Sequence, residues 1–190
     1  GKDVKRWHAH FAEQYLIKIE SSENRLHPWS GKPAKEAEKV FAKTYPAIHN
    51  RFEAYRKELI KRQDQGTYFW ELRSCKYWQE FESPKIVYPD IAQNSEFAFD
   101  DRGYYLANTL YLMPTDKLWL LGLLNSKTVF WFYTKTSTQI RGGFVRFIAQ
   151  YVSQIPVSEP TEPAKIEAVV KRILALKSAN PDADVSDLER

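Results

Sequence analysis

Cysteine is nearly absent: Cys75 is the only one in 190 residues. A single thiol excludes a disulfide framework and fits a reducing compartment, so a cytoplasmic setting is expected. No apolar run approaches the roughly 20 residues that a bilayer-spanning helix needs, and the first residues lack a signal-peptide pattern. There is no GxxxxGK[ST] or GxGxxG turn, which removes the usual backbone cradles for nucleotide phosphates. An Asn/Asp-Pro-Pro-aromatic loop is missing too, and with it the means of holding a flipped adenine for transfer chemistry.

Metal and nucleophile chemistry are equally thin. Pro89-Asp90 could open a nuclease site of the Pro-Asp…Asp/Glu-x-Lys type, but no Asp/Glu-x-Lys follows it. Asp3-Val4-Lys5 has that spacing, yet lies far upstream and in the wrong order. His8-Ala9-His10 would put two imidazoles on one face of a strand. Zinc needs three or four ligands, and neither Cys75, His27 nor His49 completes a recognised spacing, so these read as ordinary surface or interface histidines. Cys75 has no legible histidine partner to make it a nucleophile. No catalytic or metal residue is expected in this chain.

What is present is a well-furnished globular sequence. Hydrophobic residues at 43% and charged residues at 27% are enough for one cored domain with room for a small appendage. The net charge of +4 is unevenly spread: residues 1–63 carry +6, 64–110 carry −4, 111–157 carry +4 and 158–190 carry −2. Two basic segments flanking an acidic one could form a basic cleft for phosphates, or could be solvated helix faces.

Periodicity predicts an α+β fold: a mixed, mainly antiparallel sheet with packed helices and a C-terminal amphipathic helix. Tyr15–Ile19 reads as a strand, and Ser21–Lys32 as a loop. Pro33 starts a helix over 34–45, and Pro46 a second one carrying Ile48, Phe52, Tyr55 and Leu59 up to Asp64-Gln65-Gly66. Lys85–Tyr88 is a strand between two prolines, Phe97–Tyr105 a strand–turn–strand, and Thr109–Met113 a further strand. Asp116 is suited to cap a helix ending at Leu124, and Val129–Tyr133 is too apolar for exposure. Phe147–Ile155 reads as a short helix and Ser158–Pro163 as a linker. An amphipathic helix follows over Ala164–Ser178, striped by Ile166, Val169, Val170, Ile173, Leu174 and Leu176, and Val185–Leu188 starts another.

The loops between these elements carry donors suited to recognition. One group is Arg73, Lys76, Tyr77, Trp78 and Gln79; a second is Gln93 and Asn94. A third runs through Thr136, Ser137, Thr138 and Gln139 to Arg141, with Arg146 beyond. Arginine pairs bidentately with guanine edges and Gln or Asn with adenine, while Lys, Ser and Thr hold phosphates. In Arg141-Gly142-Gly143 the glycines permit close backbone approach.

Read in order, a set of short motifs is more specific than any one of them. They are the entry Gly1-Lys2-Asp3-Val4-Lys5-Arg6-Trp7, then Tyr45-Pro46-Ala47-Ile48, Trp70-Glu71-Leu72-Arg73 and Pro84-Lys85-Ile86-Val87-Tyr88-Pro89-Asp90. Leu123-Leu124-Asn125-Ser126-Lys127, Arg141-Gly142-Gly143 and Gln154-Ile155-Pro156 complete the series. The series resembles the TaqI-like C-terminal specificity domain, the target-recognition domain of type IIG restriction–modification enzymes and related adenine-N6 DNA methyltransferases. The resemblance implies a target-recognition domain over residues 1–157 and, over 158–190, a linker and a truncated C-terminal helical segment. It implies a reader of double-stranded DNA, facing the major groove, joined to an upstream methyltransferase domain that uses S-adenosylmethionine, with a nuclease in some parents. The start at Gly1, without Met, accords with the interior of a longer protein. The base-reading residues proposed above rest on loop chemistry rather than on matched motif positions. Two other readings stand beside this one: a scaffold that docks a catalytic partner with incidental DNA contact, and a self-contained nuclease.

Overall fold

The computed structural model describes residues 1–189. In chain order, β1 (Val4–Lys5) and β2 (His8–Ala9) precede α1 (Ala34–Thr44), α2 (Pro46–Glu53), α3 (Arg56–Lys61) and α4 (Trp78–Glu82). Then come β3 (Lys85–Pro89), β4 (Ile91–Ala92), β5 (Ala98–Asp100), β6 (Leu110–Pro114) and α5 (Leu118–Leu124). The chain continues through α6 (Lys127–Thr136), β7 (Gln139–Ile140), β8 (Phe144–Arg146), α7 (Ala149–Val152) and α8 (Pro163–Ala179). The α+β class with a C-terminal helix is as predicted. These elements form two compact units: Tyr15–Trp78, and a discontinuous unit made of Gly1–Gln14 and the chain from Gln79 onward.

The Tyr15–Trp78 unit is built on aromatic packing. Phe41 stacks on Trp70 at 4.9 Å, Trp70 on Tyr68 at 4.9 Å, and Trp29 meets Phe41 edge-on at 5.2 Å. Such pairs contribute beyond the area they bury. Glu71 lies fully buried beside them, and its carboxylate accepts from Ser22 N at 3.0 Å, Ser22 Oγ at 2.5 Å and Trp29 Nε1 at 2.9 Å. Burying a carboxylate is tolerated only with such a set of donors. Gly66 closes over this hub: a Cβ there would lie 2.7 Å from Leu72 O and 2.8 Å from Glu71 Oε2.

Two predictions fail in this unit. Tyr15–Ile19 forms no strand; Tyr15, Leu16 and Ile17 are exposed, and Ile19 O accepts a backbone bond from Leu72 N at 2.8 Å. Bulky residues favour a pleated surface only where a neighbour supplies a ladder. The helix from Pro46 breaks into α2 and α3, because Tyr55 leaves the helical region (φ −120°, ψ 16°). Its ring instead lies against the Arg51 guanidinium, 4.9 Å from the ring centre.

The second unit carries three small antiparallel sheets: β1–β2, β5–β3–β6 and β4–β8–β7. Strand β3 is buried along its whole length, with the apolar Ile86, Val87 and Tyr88 following a charged first residue. Lys85, at its start, is buried because Asp100 faces it across the register and forms an ion pair at 2.6 Å. Asp100 also accepts from Arg102 N at 2.9 Å and Tyr104 N at 3.0 Å, which curls the chain away from the sheet. The return strand expected at Tyr104-Tyr105 therefore does not form.

Four further expectations are corrected here. Asp116 does not cap α5; that helix begins at Leu118 with Lys117 at the cap and no side-chain bond. Thr115 Oγ1 takes the Lys117 amide instead, at 3.2 Å. Val129–Tyr133 is helical and its Val129 and Tyr133 are buried, but Trp131 is 63% exposed because it lies on the opposite arc. The helix expected over Phe147–Ile155 contracts to α7, and Val185–Leu188 is a turn closed by Leu188 N on Val185 O at 2.9 Å. Helix α8 buries Val170 and Ile173 and packs on α5 at Gly122, while Ile166, Val169 and Leu176 keep about 40% of their surface (38%, 40% and 40%).

Candidate nucleic-acid interface

The sheet β4–β8–β7 gathers the second and third groups of predicted residues. Ile91 faces Arg146 and Ala92 faces Val145; on the other side of β8, Gln139 faces Val145 and Ile140 faces Phe144. Opposed residues share a face and faces alternate along a strand, so Ile91, Arg146, Ile140 and Phe144 lie on one side. Ala92 and Val145 lie on the other and are buried in the core. The first face is open: Ile91 is 47% and Phe144 37% exposed.

Strands β7 and β8 are joined by Arg141-Gly142-Gly143, with φ of +88° at Gly142 and +78° at Gly143. Two consecutive left-handed residues tighten the turn, and only glycine adopts them without strain. Gln93, leaving β4, donates Nε2 to Gly142 O at 3.1 Å and so holds the turn from the side. Arg141 and Asn94 are exposed and make no hydrogen bond or ion pair among the described residues.

The remaining predicted residues in this unit are partly engaged. Arg146 pairs with Asp90 through one edge of its guanidinium, Nη2 to Oδ2 at 2.7 Å and Nε to Oδ1 at 3.3 Å. The hydrogen bonds to Asp90, and then its charge, hold Arg146 above its ordinary pKa. Thr138 Oγ1 bonds Tyr151 Oη at 2.7 Å, and Gln139 Nε2 donates to Thr134 O at 3.0 Å. Thr136 Oγ1 reaches back to Phe132 O at 3.4 Å, and Ser137 Oγ is buried with no partner among the described residues. Sequence reasoning missed Tyr151 and the Asp90–Arg146 pairing. The pairing spans 56 residues, and no local pattern signals it.

The first group lies in a different place. Arg73, Lys76, Tyr77 and Trp78 belong to the Tyr15–Trp78 unit, while Gln79 opens the following segment. Arg73 pairs with Asp64 at 3.2 Å, both side chains well exposed. Lys76 is exposed, Tyr77 is half exposed, and the Trp78 ring lies 5.4 Å from Lys18 Nζ.

Other chemistry resolves into structure. Glu38, His49 and Glu53 converge within 4.8 Å. Arg56 already fills that space, with Nη2 2.8 Å from Glu38 Oε2 and Nη1 2.6 Å from Glu53 Oε1. His8 and His10 lie 6.4 Å apart, ring to ring, and join no metal-holding cluster among the described residues. Burial, followed by the His10 charge, holds His8 below its ordinary pKa.

A family model, the TaqI-like C-terminal specificity domain, matches residues 1–157. The chain belongs to this family. Among similar curated proteins, the type II methyltransferase M.PaeR7I of Pseudomonas aeruginosa is 35% identical over 99 residues, 47% of this chain and 17% of its own length. M.BanIII of Aneurinibacillus aneurinilyticus is 24% identical over 153 residues, 76% of this chain and 26% of its own. M.XhoI of Xanthomonas vasicola is 32% identical over 98 residues, 46% and 18% respectively. All three are named type II methyltransferases, and the chain spans about a quarter of their length or less.

The motifs that mark a TaqI-like specificity domain have structural reasons here. In Leu123-Leu124-Asn125-Ser126-Lys127, Leu124 is core, Asn125 bonds the backbone of Phe97, and Ser126 Oγ caps α6 by accepting from Val129 N at 3.2 Å. In Trp70-Glu71, the ring and the carboxylate are the centre of the Tyr15–Trp78 unit. These motifs specify scaffold. The turn at Arg141 presents an exposed donor that is unpaired among the described residues.

Proposed function

We propose that this chain is a sequence-specific recognition module for double-stranded DNA, the target-recognition part of a restriction–modification enzyme. It positions a separate adenine-N6 methyltransferase, for which S-adenosylmethionine is the methyl donor, on its target. The observation that carries the reading is Arg141. It stands at a two-glycine turn, held from the side by Gln93, exposed and unpaired among the described residues. A donor presented this way can enter a major groove and pair with a guanine edge. Asn94, next in the chain to Gln93, is exposed and has the chemistry for adenine, while the relatives' names supply the methyltransferase context. Arg146 serves better to hold the sheet than to read, since Asp90 engages both its Nε and its Nη2.

The test is a selection from randomised duplex DNA with the 190-residue chain, followed by anisotropy titrations over a salt series. The expected result is an enriched motif, bound with a negative log–log salt slope. Arg141→Ala should relax preference at one position, with a loss of about 1–3 kcal/mol there. Absent or salt-independent binding at low ionic strength would overturn the reading.

A further inference from the structure

The helix that leads into the recognition sheet has an outer face that none of the preceding roles uses. On α6, Lys127, Trp131 and Lys135 recur every four residues and all three are exposed, as is Thr128 beside them. Val129 and Tyr133, on the opposite arc, are buried. Trp131 is 63% exposed, whereas Trp7, Trp29, Trp70 and Trp119 are buried to 6% or less. No Asp or Glu occurs between Asp116 and Glu159, so this face has no acidic neighbour in its own stretch of chain.

The helix is also rigidly joined to the recognition sheet. Tyr133 Oη donates to Arg146 O on β8 at 2.6 Å, Ser137 N bonds Tyr133 O at 2.9 Å, and Gln139 Nε2 bonds Thr134 O at 3.0 Å. Whatever engages the Arg141 turn is therefore held at a fixed distance from the α6 face.

We infer that the Lys127–Trp131–Lys135 face of α6 is a phosphodiester track, gripping one DNA strand's backbone beside the bases read by the Arg141 turn. The inference rests on the DNA-reading role proposed above and names the contact that gives it affinity. Eight residues of helix rise about 12 Å, enough for the two ammonium groups to meet separate phosphates of one strand, whose charges recur every ~3.4 Å of duplex axis. Lysine holds phosphate as a mobile point charge that tolerates any sequence. Between the lysines, the indole offers apolar area to the sugar faces, which carry no sequence information either.

The experiment compares the full 190-residue chain with Lys127→Glu/Lys135→Glu, Lys127→Arg/Lys135→Arg and Trp131→Ala, each titrated with the selected duplex and a scrambled one. The double Glu variant should weaken both duplexes by about tenfold or more and flatten the salt slope by about 2, one contact per lysine. The Arg pair should keep the slope, and Trp131→Ala should weaken both duplexes severalfold with the slope unchanged. If the Glu variant keeps affinity and slope while Arg141→Ala still alters target preference, the track is refuted and the reading role stands. If the Glu variant loses only association with a methyltransferase region supplied in trans, the face docks protein and the inference is likewise refuted. If the unaltered chain binds no duplex at any salt, the reading role and the track fall together.

Discussion

Asn125 grips both backbone polar groups of Phe97: Oδ1 accepts from Phe97 N at 3.2 Å, and Nδ2 donates to Phe97 O at 2.9 Å. The amide thus behaves as a one-residue strand beside the segment that enters β5, and Phe97 O also accepts from Trp7 N at 2.9 Å. Arg6 Nη2 adds a bond to Asn125 O at 2.7 Å. Asn125→Leu removes the partner of Phe97 N and leaves Phe97 O bonded to Trp7 N, at 2.9 Å, so it should destabilise by about 1–3 kcal/mol. Asn125→Asp keeps the acceptor but turns an oxygen toward Phe97 O, and should be at least as harmful. Urea denaturation of both variants, with the slope of the transition unchanged, is the check.

The Lys85–Asp100 pair is buried on both sides, with side-chain exposures of 0% and 1%. Removing one charge strands the other, so Lys85→Met should cost about 3–5 kcal/mol. The double variant Lys85→Met/Asp100→Asn should recover part of that loss, since the amide keeps an acceptor for the turn at Arg102 and Tyr104. A double-mutant cycle measured by denaturation would reveal the coupling.

Gly122 sits where α5 and α8 cross; a Cβ built there lies 3.0 Å from Val170 Cγ2 and 3.2 Å from Ile166 Cγ2. Gly122→Val should overpack the crossing and destabilise by about 1–3 kcal/mol. Hydrogen exchange should then show loosened α8 amides while the β3 amides keep their protection.

Arg56 bridges Glu38 and Glu53, and the Glu38 carboxyl is held below its ordinary 4.5 first by its hydrogen bond to Arg56. A carboxyl with a depressed folded pKa contributes stability that is complete above its unfolded pKa and is lost as pH falls through the folded one. The Tyr15–Trp78 unit should therefore weaken below about pH 4.5, and Arg56→Ala should flatten that part of the profile. Thermal melts of both proteins from pH 6 to 3 would decide it; parallel curves would refute the assignment.

Much of the scaffold was legible because its signals are local. Strand β3 is an apolar run between Pro84 and Pro89, and α8 repeats its apolar residues at helical spacing after Pro163. What was illegible depends on partners distant in sequence. Tyr15–Ile19 has strand composition but no ladder to join, and Asp116 lost its capping role to Thr115. In the candidate site, Arg141 and its glycines were readable from turn chemistry. The commitment of Arg146 to Asp90 was not, since charge alone does not show which cations are already paired.

The discontinuous unit has one more consequence, for the timing of assembly. Val4 packs against Val87 and Ala98, and Trp7 Nε1 donates to Glu189 Oε1, 182 residues away. The buried core of Tyr15–Trp78 is drawn from that segment alone, so it can condense while later residues are still being made. The β1–β2 hairpin has no such option. At about 5–20 residues per second it waits roughly 5–20 s for β3 and β5 to emerge, with Val4 and Trp7 uncovered. The hairpin is thus made well before the strands that cover it, and in a growing chain it needs shielding until they emerge.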